Sequence, residues 1–113
     1  MIINQPDKNL ELRTCDEPGP GGANHNYAIK LIANDDTRYI YFQKGPIKEV
    51  GLNGITNESL LELVLHRLNA FQNGPFNCKE NAIAADGVNT ALEALYSRTR
   101  DRQTRGVEGK NEV

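Results

Sequence analysis

The sequence predicts an α+β protein, with a small N-terminal antiparallel β-sheet followed by a C-terminal antiparallel two-helix hairpin. Alternating apolar and polar residues occur in the first half of the chain, and apolar residues at helical spacing occur in the second. With 113 residues and no tryptophan, the core is modest, so we expect a dimer or higher oligomer. We expect a single domain over residues 1–113, with a β-rich part at 1–55 and a helical part at 56–113.

Three segments of the first half are typical of strands. The segment from Asn9 to Cys15 alternates apolar and polar residues. The segments Tyr27–Ala33 and Thr37–Lys44 are rich in β-branched and aromatic residues. Between them, Asn34-Asp35-Asp36 predicts a tight hairpin turn, because asparagine and aspartate tolerate the left-handed conformation.

Two features of this half have both a structural and a functional interpretation. The glycine-rich stretch from Glu17 to Asn24 lacks the lysine-serine/threonine ending of a P-loop and no helix follows it, so a connecting loop is favoured. Tyr39 and Tyr41 share one strand face, where packing is favoured over stacking on a base.

A first long helix is predicted after the glycine-containing connector Ile47–Ile55. Thr56 or Asn57 caps it, and it extends to about Gln72. Its packing stripe follows the helical repeat and consists of Leu61, Val64, Leu65, Leu68 and Phe71.

A second helix follows the Asn73-Gly74-Pro75 turn, in which glycine permits a left-handed cap and proline prevents continuation. It begins near Phe76 to Lys79 and continues to about Gln103. Gly87 costs about 1 kcal/mol relative to alanine inside a helix, and we attribute it to close packing. The packing stripe consists of Ala85, Val88, Leu92, Leu95 and Thr99.

The end of the second helix carries a cluster of arginines on a chain whose formal net charge is −2. Arg98, Arg102 and Arg105 have the i, i+4, i+7 spacing of one helix face, and Arg100 lies on another. Arginine binds phosphate through two parallel hydrogen bonds, but cations also stabilise the negative end of a helix. On the residues alone, phosphate binding and helix capping, with Asp101 as a local partner, both stay open.

Composition argues against several other classes of protein. The acidic balance disfavours general binding of duplex DNA or anionic membranes, and the N-terminus lacks the pattern of a signal peptide. Cys15 and Cys78 match no metal spacing, so we expect reduced thiols in a cytoplasm, no metal and no cofactor. His25 and His66 are the only histidines, and neither lies in an acid/base constellation beside the arginines, so we expect no catalytic residue.

Helix geometry constrains any site that uses both ends of the second helix. Asn81 and Arg98 are 17 residues apart, which corresponds to about 25 Å along the axis. They cannot both reach one small ligand from a single straight helix. If they bind the same ligand, an antiparallel neighbouring chain supplies one of them.

The C-terminal two-thirds of the chain resembles the phage Thoeris anti-defence sponge family of the first type. The residues that carry the resemblance are Asn73-Gly74-Pro75-Phe76, Cys78-Lys79-Glu80-Asn81-Ala82, Arg98-Thr99-Arg100-Asp101-Arg102 and Arg105-Gly106-Val107-Glu108-Gly109. The helical hairpin is similar to that of phage proteins that sequester the cyclic oligonucleotides of CBASS immunity. The chain departs from the family pattern at Asp86-Gly87 and in its tail, Gly109-Lys110-Asn111.

The resemblance implies a non-enzymatic protein that captures a cyclic ADP-ribose isomer made by a bacterial TIR-domain immune enzyme, in the cytoplasm of the infected host. It implies pocket residues at Phe71, Asn81, Arg98 and Arg102, and the arginine spacing adds Arg105. Phe71 would stack on adenine, Asn81 would hydrogen-bond a base edge or ribose, and the arginines would bind pyrophosphate. The family also implies a homodimer or homohexamer, and in some members binding of cyclic di- or trinucleotides.

Two other classes of function remain as alternatives. An enzyme that hydrolyses a cyclic nucleotide would return a cleaved product, whereas a sponge returns its ligand intact. A nucleic-acid or protein interaction module that uses the same arginines would bind polynucleotide with a steep salt dependence and would not bind a small nucleotide.

Overall fold

The structure, a computed structural model, describes residues 1–104, except the side chains of Pro20 and of residues 102–104. This part of the chain divides into two compact units, one from Met1 to Ile55 and one that begins at Thr56. The predicted fold class, an antiparallel sheet followed by a helical hairpin, is confirmed. That the units form a single domain stays a prediction.

The first unit is a four-stranded antiparallel sheet in the order β1-β2-β3-β4. Its strands are β1 (Ile2–Asp7), β2 (Leu10–Thr14), β3 (Asn26–Leu31) and β4 (Asp36–Tyr41). The pairing of β3 with β4 is regular from Asn26–Tyr41 to Leu31–Asp36. The central strands β2 and β3 form close to the positions that the sequence pattern predicts.

Strand β1 was not predicted. Every one of its residues is exposed, so no buried face imposes an alternating pattern that the sequence could reveal. Two register shifts interrupt its pairing with β2, and Pro6, which cannot donate a backbone hydrogen bond, is tolerated because β1 is an edge strand. The strand forms because β2 offers it a row of backbone partners.

The connection between β3 and β4 is longer than the predicted turn. Strand β3 ends at Leu31, and a single 3₁₀ turn covers Ile32–Asn34 before β4 begins at Asp36. The expectation that the strand continues to Ala33 was therefore wrong. The left-handed conformation falls on Asp35, with φ of 48°, which agrees with the reason for placing a turn there.

The tyrosines of β4 lie on one face, as the strand period predicts. The rings of Tyr39 and Tyr41 are nearly parallel, with centroids 6.3 Å apart, and both are more than half exposed. On the opposite face Phe42 meets the edge of the Tyr27 ring at 5.6 Å.

Two side-chain amides brace the segment that follows β4. The Gln43 side-chain amide donates to the backbone carbonyls of Gly45 and Gly51, and its oxygen accepts the backbone N–H of Asn53. The Asn53 side chain in turn accepts from Lys44 N–H at 2.8 Å and donates to the Lys44 carbonyl at 2.7 Å. Within this segment, expected to be an irregular connector, one helical turn, α1, forms at Ile47–Val50.

Gly54 is required where this segment returns to the sheet. Phe42 and Ile55 form an isolated parallel bridge, which brings the two backbones together. A Cβ atom on Gly54 would lie 2.5 Å from the carbonyl carbon of Phe42. Any side chain at this position would therefore force the backbones apart.

The loop before β3 is organised around Asp16. Its carboxylate accepts the backbone N–H of His25 at 3.1 Å and the side-chain amide of Asn24 at 3.2 Å. Burial raises the pKa of this carboxyl, but the hydrogen bonds outweigh that effect and hold the pKa below its ordinary value. The prediction of a connecting loop agrees with this arrangement, in which one 3₁₀ turn covers Pro20–Gly22.

The second unit is an antiparallel pair of helices, α2 (Asn57–Gln72) and α3 (Lys79–Thr104). Thr56 is the N-cap of α2: its hydroxyl accepts the Ser59 N–H at 3.1 Å, and the Ser59 hydroxyl accepts the Thr56 N–H at 3.0 Å. The helices end and begin within a few residues of the predicted positions, because the capping and turn residues that mark them act locally.

The predicted packing stripe of α3 is confirmed, and that of α2 only in part. Ala85 and Leu92 are buried, and the other three members of the α3 stripe are half-buried. In α2, Val64 and Phe71 are 41% and 38% exposed, because a single neighbouring helix covers a narrower strip than the apolar residues occupy. Within the chain, the close packing proposed for Gly87 does not occur, since a Cβ atom there would meet nothing within 4 Å.

Candidate functional site

The site residues expected from the sequence fall at the two ends of the helical hairpin. We call the end of α2, the connecting residues 73–78 and the start of α3 the turn end. We call the last turns of α3, from Tyr96 to Thr104, the arginine end. Phe71 and Asn81 lie at the turn end, whereas Arg98 and Arg102 lie at the arginine end.

The turn end contains an open groove of about 430 Å³, which we call the turn groove. Aromatic and small residues from α2 and the connection line most of it, together with one histidine and one arginine. Its lining residues are His66, Arg67, Ala70, Phe71, Gly74, Pro75 and Phe76. This volume lies within the range of small-molecule sites, at the lower end.

Arg67 and Phe71 lie against each other in the turn groove. The guanidinium carbon of Arg67 lies 5.3 Å from the centroid of the Phe71 ring, a cation–π distance. Phe71 is therefore an exposed ring with an arginine on it and is available for a planar ligand.

Asn81 lies in the first turn of α3 and is half-buried. Within residues 1–104 its amide has no hydrogen-bond partner, so both its donor and its acceptor can serve a ligand. Its place beside the helix N-terminus also puts it among backbone N–H groups that lack helical partners.

The connection that separates these two residues is held by side-chain hydrogen bonds. The Gln72 side-chain carbonyl accepts the backbone N–H of Cys78 at 2.9 Å, and the Asn77 amide donates to the Gly74 carbonyl at 3.1 Å. These bonds fix the connection between the helices and with it the walls of the turn groove.

At the arginine end, Arg98 is exposed and forms no hydrogen bond or ion pair with any residue the structure describes. Arg100 and Asp101 each take part in an interaction. Arg98 therefore does not pair with Asp101, and its guanidinium keeps its five donors.

Tyr96, two residues before Arg98, lies near Glu62 of α2. Burial, and after it the Glu62 carboxylate, raise the pKa of Tyr96. Arg102 follows in the last turn of α3, and Arg105 lies outside the described residues.

The two ends are too far apart to form one site within a chain. The 17 residues from Asn81 to Arg98 span about 25 Å of continuous helix. A cube with the volume of the turn groove is only about 8 Å wide, so a ligand in it remains far from the arginine end of the same chain.

Arg67 and Phe76 line the turn groove but were not predicted from the sequence as candidate site residues. A signal for Arg67 was available: it precedes Phe71 by one helical turn, and its neighbours three and four residues away, Leu63, Val64 and Ala70 with Phe71, include no acid. An arginine without a local ionic partner beside an aromatic residue is a recognisable pattern.

The whole hairpin up to Arg100 matches a known family: the model of the Acb2/Tad1 hairpin domain aligns with residues 34–100. The chain belongs to the Acb2/Tad1 hairpin family. The curated protein Thoeris anti-defense 1 of Bacillus phage SBSphiJ7 is 44% identical to it over 94 residues. This alignment covers 83% of the chain and 66% of that protein, slightly less than two thirds of its length.

These matches confirm the resemblance to the phage Thoeris anti-defence sponge family. The Acb2/Tad1 match includes the turn end and Arg98, whereas Arg102 and Arg105 follow its last residue. Among residues 1–104, no three potential metal ligands lie together. In the same part of the chain, no helix has the length and apolar character that crossing a bilayer requires.

Proposed function

We propose that this protein is a phage anti-defence sponge that binds a cyclic ADP-ribose isomer made by bacterial TIR immunity and withholds it without degrading it. The observation that carries the proposal is the family membership, together with the 44% identity to a protein named Thoeris anti-defense 1. Since the signal acts inside an infected bacterium, the site of action is the cytoplasm of that host.

The chemistry of the two ends of the hairpin suits such a ligand. Phe71 supplies an exposed ring for adenine, and Asn81 supplies a free donor and acceptor for a base edge or ribose. Arg98 and Arg102, with Arg105, supply the charge that a pyrophosphate requires.

Each complete site then requires two chains. Because about 25 Å of helix separates the ends, the turn end of one chain meets the arginine end of another. A two-fold axis that brings antiparallel copies of α3 together creates two equivalent sites in a homodimer, and three such dimers form a homohexamer. The family membership extends the proposal to cyclic di- or trinucleotides as further ligands.

Binding without turnover is favoured because the proposed ligand contacts are a stacking ring, an amide and guanidinium groups. Among the described residues that line the turn groove, His66 is the one candidate general acid or base, and no carboxylate or second histidine lines the groove with it. Arginine in particular holds charge without titrating. The protein therefore lowers the free concentration of its ligand in proportion to the number of chains.

The proposal is tested by recovery of the ligand. The purified protein is mixed with the TIR-derived cyclic ADP-ribose isomer, unbound ligand is removed by filtration, and the retained protein is heat-denatured so that its contents can be chromatographed. We expect intact isomer at a fixed ratio per chain. Ligand that passes through the filter, or returns as a cleaved product, contradicts the sponge.

A double variant provides the control for the site. Arg98→Ala with Arg102→Ala removes the pyrophosphate contacts, so we expect the retained isomer to disappear while the melting temperature changes little. Arg38→Ala, which removes an exposed arginine from the sheet unit, should retain the isomer as the original chain does. If the double variant unfolds instead, the two arginines are structural.

A further inference from the structure

We propose that Arg67 and Phe76 are additional ligand-binding residues, and that the turn groove takes the nucleoside portion of the ligand between Phe71 and Phe76. The inference rests on the proposed function, because it assigns further residues to the same site. It also divides the ligand between two surfaces, with the nucleoside at the turn end and the pyrophosphate at the arginine end.

Arg67 has the surroundings of a ligand contact. Leu63, Val64 and Ala70 are its neighbours on the helix, and it forms no ion pair with any described residue, although the chain carries 15 acidic residues. Its described contact is with the Phe71 ring, at 5.3 Å. Stacking restrains a guanidinium without using its hydrogen-bond donors, so Arg67 is held ready to donate to an acceptor in the groove.

Phe76 is 73% exposed, which is a large exposed fraction for a phenylalanine. It lies on the connection that Gln72 and Asn77 brace, so its ring is displayed by fixed backbone. A planar base that stacks on this ring removes apolar surface from water without first ordering the chain. Because Phe71 lines the same groove, the site offers two rings to a single base.

The size of the groove suits the nucleoside portion of the ligand. About 430 Å³ accommodates a base with its ribose, and because the groove is open, the rest of the ligand can extend beyond it. The apolar and aromatic lining suits the faces of a base, and the Arg67 donors suit the acceptor nitrogens at a purine edge. The chemistry therefore points to a purine nucleoside moiety.

The experiment measures two signals for each variant. Titration with the cyclic ADP-ribose isomer gives affinity, and the loss of adenine absorbance near 260 nm reports stacking directly. Since the chain has no tryptophan, the ligand dominates this region of the spectrum. Competition by inorganic pyrophosphate reports the arginine end independently. The variants are Arg67→Met, Arg67→Lys, Phe76→Ala and Phe76→Leu, with Arg38→Met as the control for lost charge.

We expect Arg67→Met and Phe76→Ala each to weaken binding of the isomer by about tenfold or more, in line with the stacking and hydrogen-bond contributions to base recognition. Arg67→Lys should recover less than the original affinity, because an ammonium cannot stack as a guanidinium does. Phe76→Ala should also reduce the absorbance change. Competition by pyrophosphate and binding by Arg38→Met should remain unchanged.

Several outcomes overturn the inference while leaving the proposed function intact. If the wild-type protein binds the isomer, and the affinities of Arg67→Met and Phe76→Ala are within about twofold of the wild-type affinity, neither residue touches the ligand. A parallel loss of pyrophosphate competition, or a smaller assembly by sedimentation, means that the groove is a contact between subunits. If Phe76→Ala does not fold, Phe76→Leu must show the loss of stacking. A wild-type protein that does not bind the isomer refutes the proposed function itself.

Discussion

Two inactive variants should restore binding when their chains are mixed, because the proposed site combines opposite ends of the hairpin from different chains. Phe71→Ala removes the ring at the turn end, and Arg98→Ala removes a guanidinium at the arginine end. Each homomeric variant contains only defective sites. A mixed assembly pairs the intact turn end of one variant with the intact arginine end of the other.

The magnitude follows from the geometry. In an equal mixture, half of the turn ends and half of the arginine ends are intact, so random pairing gives about one quarter of the wild-type number of sites. The same fraction holds for a dimer and a hexamer, because each site draws on two chains. The expectation depends on the 25 Å or so of helix that prevents the ends of one chain from meeting.

The assay coexpresses the two variants with different affinity tags and counts the cyclic ADP-ribose isomer released per chain after filtration and heating. A mixture of Phe71→Ala with Asn81→Ala is the matched control, since both changes affect the turn end and every mixed site keeps one defect. If the Phe71→Ala and Arg98→Ala mixture releases no more than its separate components, each site lies within a single chain and the reasoning is refuted.

Three further predictions concern stability. Leu92→Ala should lower the free energy of unfolding in urea by about 2 to 4 kcal/mol, because the Leu92 side chain is only 4% exposed. Leu63→Ala should lower it by less than about 0.5 kcal/mol, because Leu63 is 66% exposed, and equal losses would show that another chain covers this surface of α2. Gly87→Ala should raise the free energy of unfolding by about 0.5 to 1 kcal/mol, because alanine favours the helix and meets no neighbour there. Gly54→Ala should lower the melting temperature, because its Cβ atom would meet the Phe42 backbone. If instead Gly87→Ala destabilises the protein and Gly54→Ala does not, the surroundings assigned to these two glycines are wrong. Because the pKa of Asp16 is depressed in the folded state, the stability that the Asp16 carboxylate contributes is complete above its ordinary pKa of 3.8 and is lost as the pH falls through the lower folded pKa. In a titration of melting temperature against pH, Asp16→Asn should therefore reduce the fall in melting temperature at acid pH. An unchanged fall would refute this role of Asp16.

The elements that could be predicted from the sequence are those whose residues act locally. The Thr56 cap and the glycine-proline turn after α2 fix helix boundaries through contacts a few residues long, and the strand-forming residues of β3 identify it locally. Strand β1 could not be predicted in this way, since its only requirement is the neighbouring strand. The 3₁₀ turn at Ile32–Asn34 was not predicted, because the turn-forming residues indicate where the chain reverses but not at which residue the preceding strand ends.

The sequence indicated which residue types could bind the ligand, but not the groove that some of them line. Arginine spacing and family resemblance pointed to Arg98 and Arg102, and helix length alone separated them from Asn81. The turn groove was missed because it depends on how the connection folds back beside α2, which places Phe76 near Phe71 and Arg67. The exposure of Phe71 was missed for a related reason: an apolar residue at helical spacing predicts a packing face, but not how much of it a neighbour covers.

The side-chain amides of Gln43 and Asn53 close the segment between them by hydrogen bonds to backbone atoms of Lys44, Gly45 and Gly51. Residues 46–50 take no part in these bonds, so this shorter stretch can change in length or sequence while the closure at its base is kept. Loops closed at their base lose little stability on lengthening, since the entropy of closure grows slowly with the number of residues. An epitope or a fluorescent-label sequence inserted between Lys48 and Glu49 should leave both units folded, which makes this segment a site for attaching probes without changing the sequence of the helical hairpin.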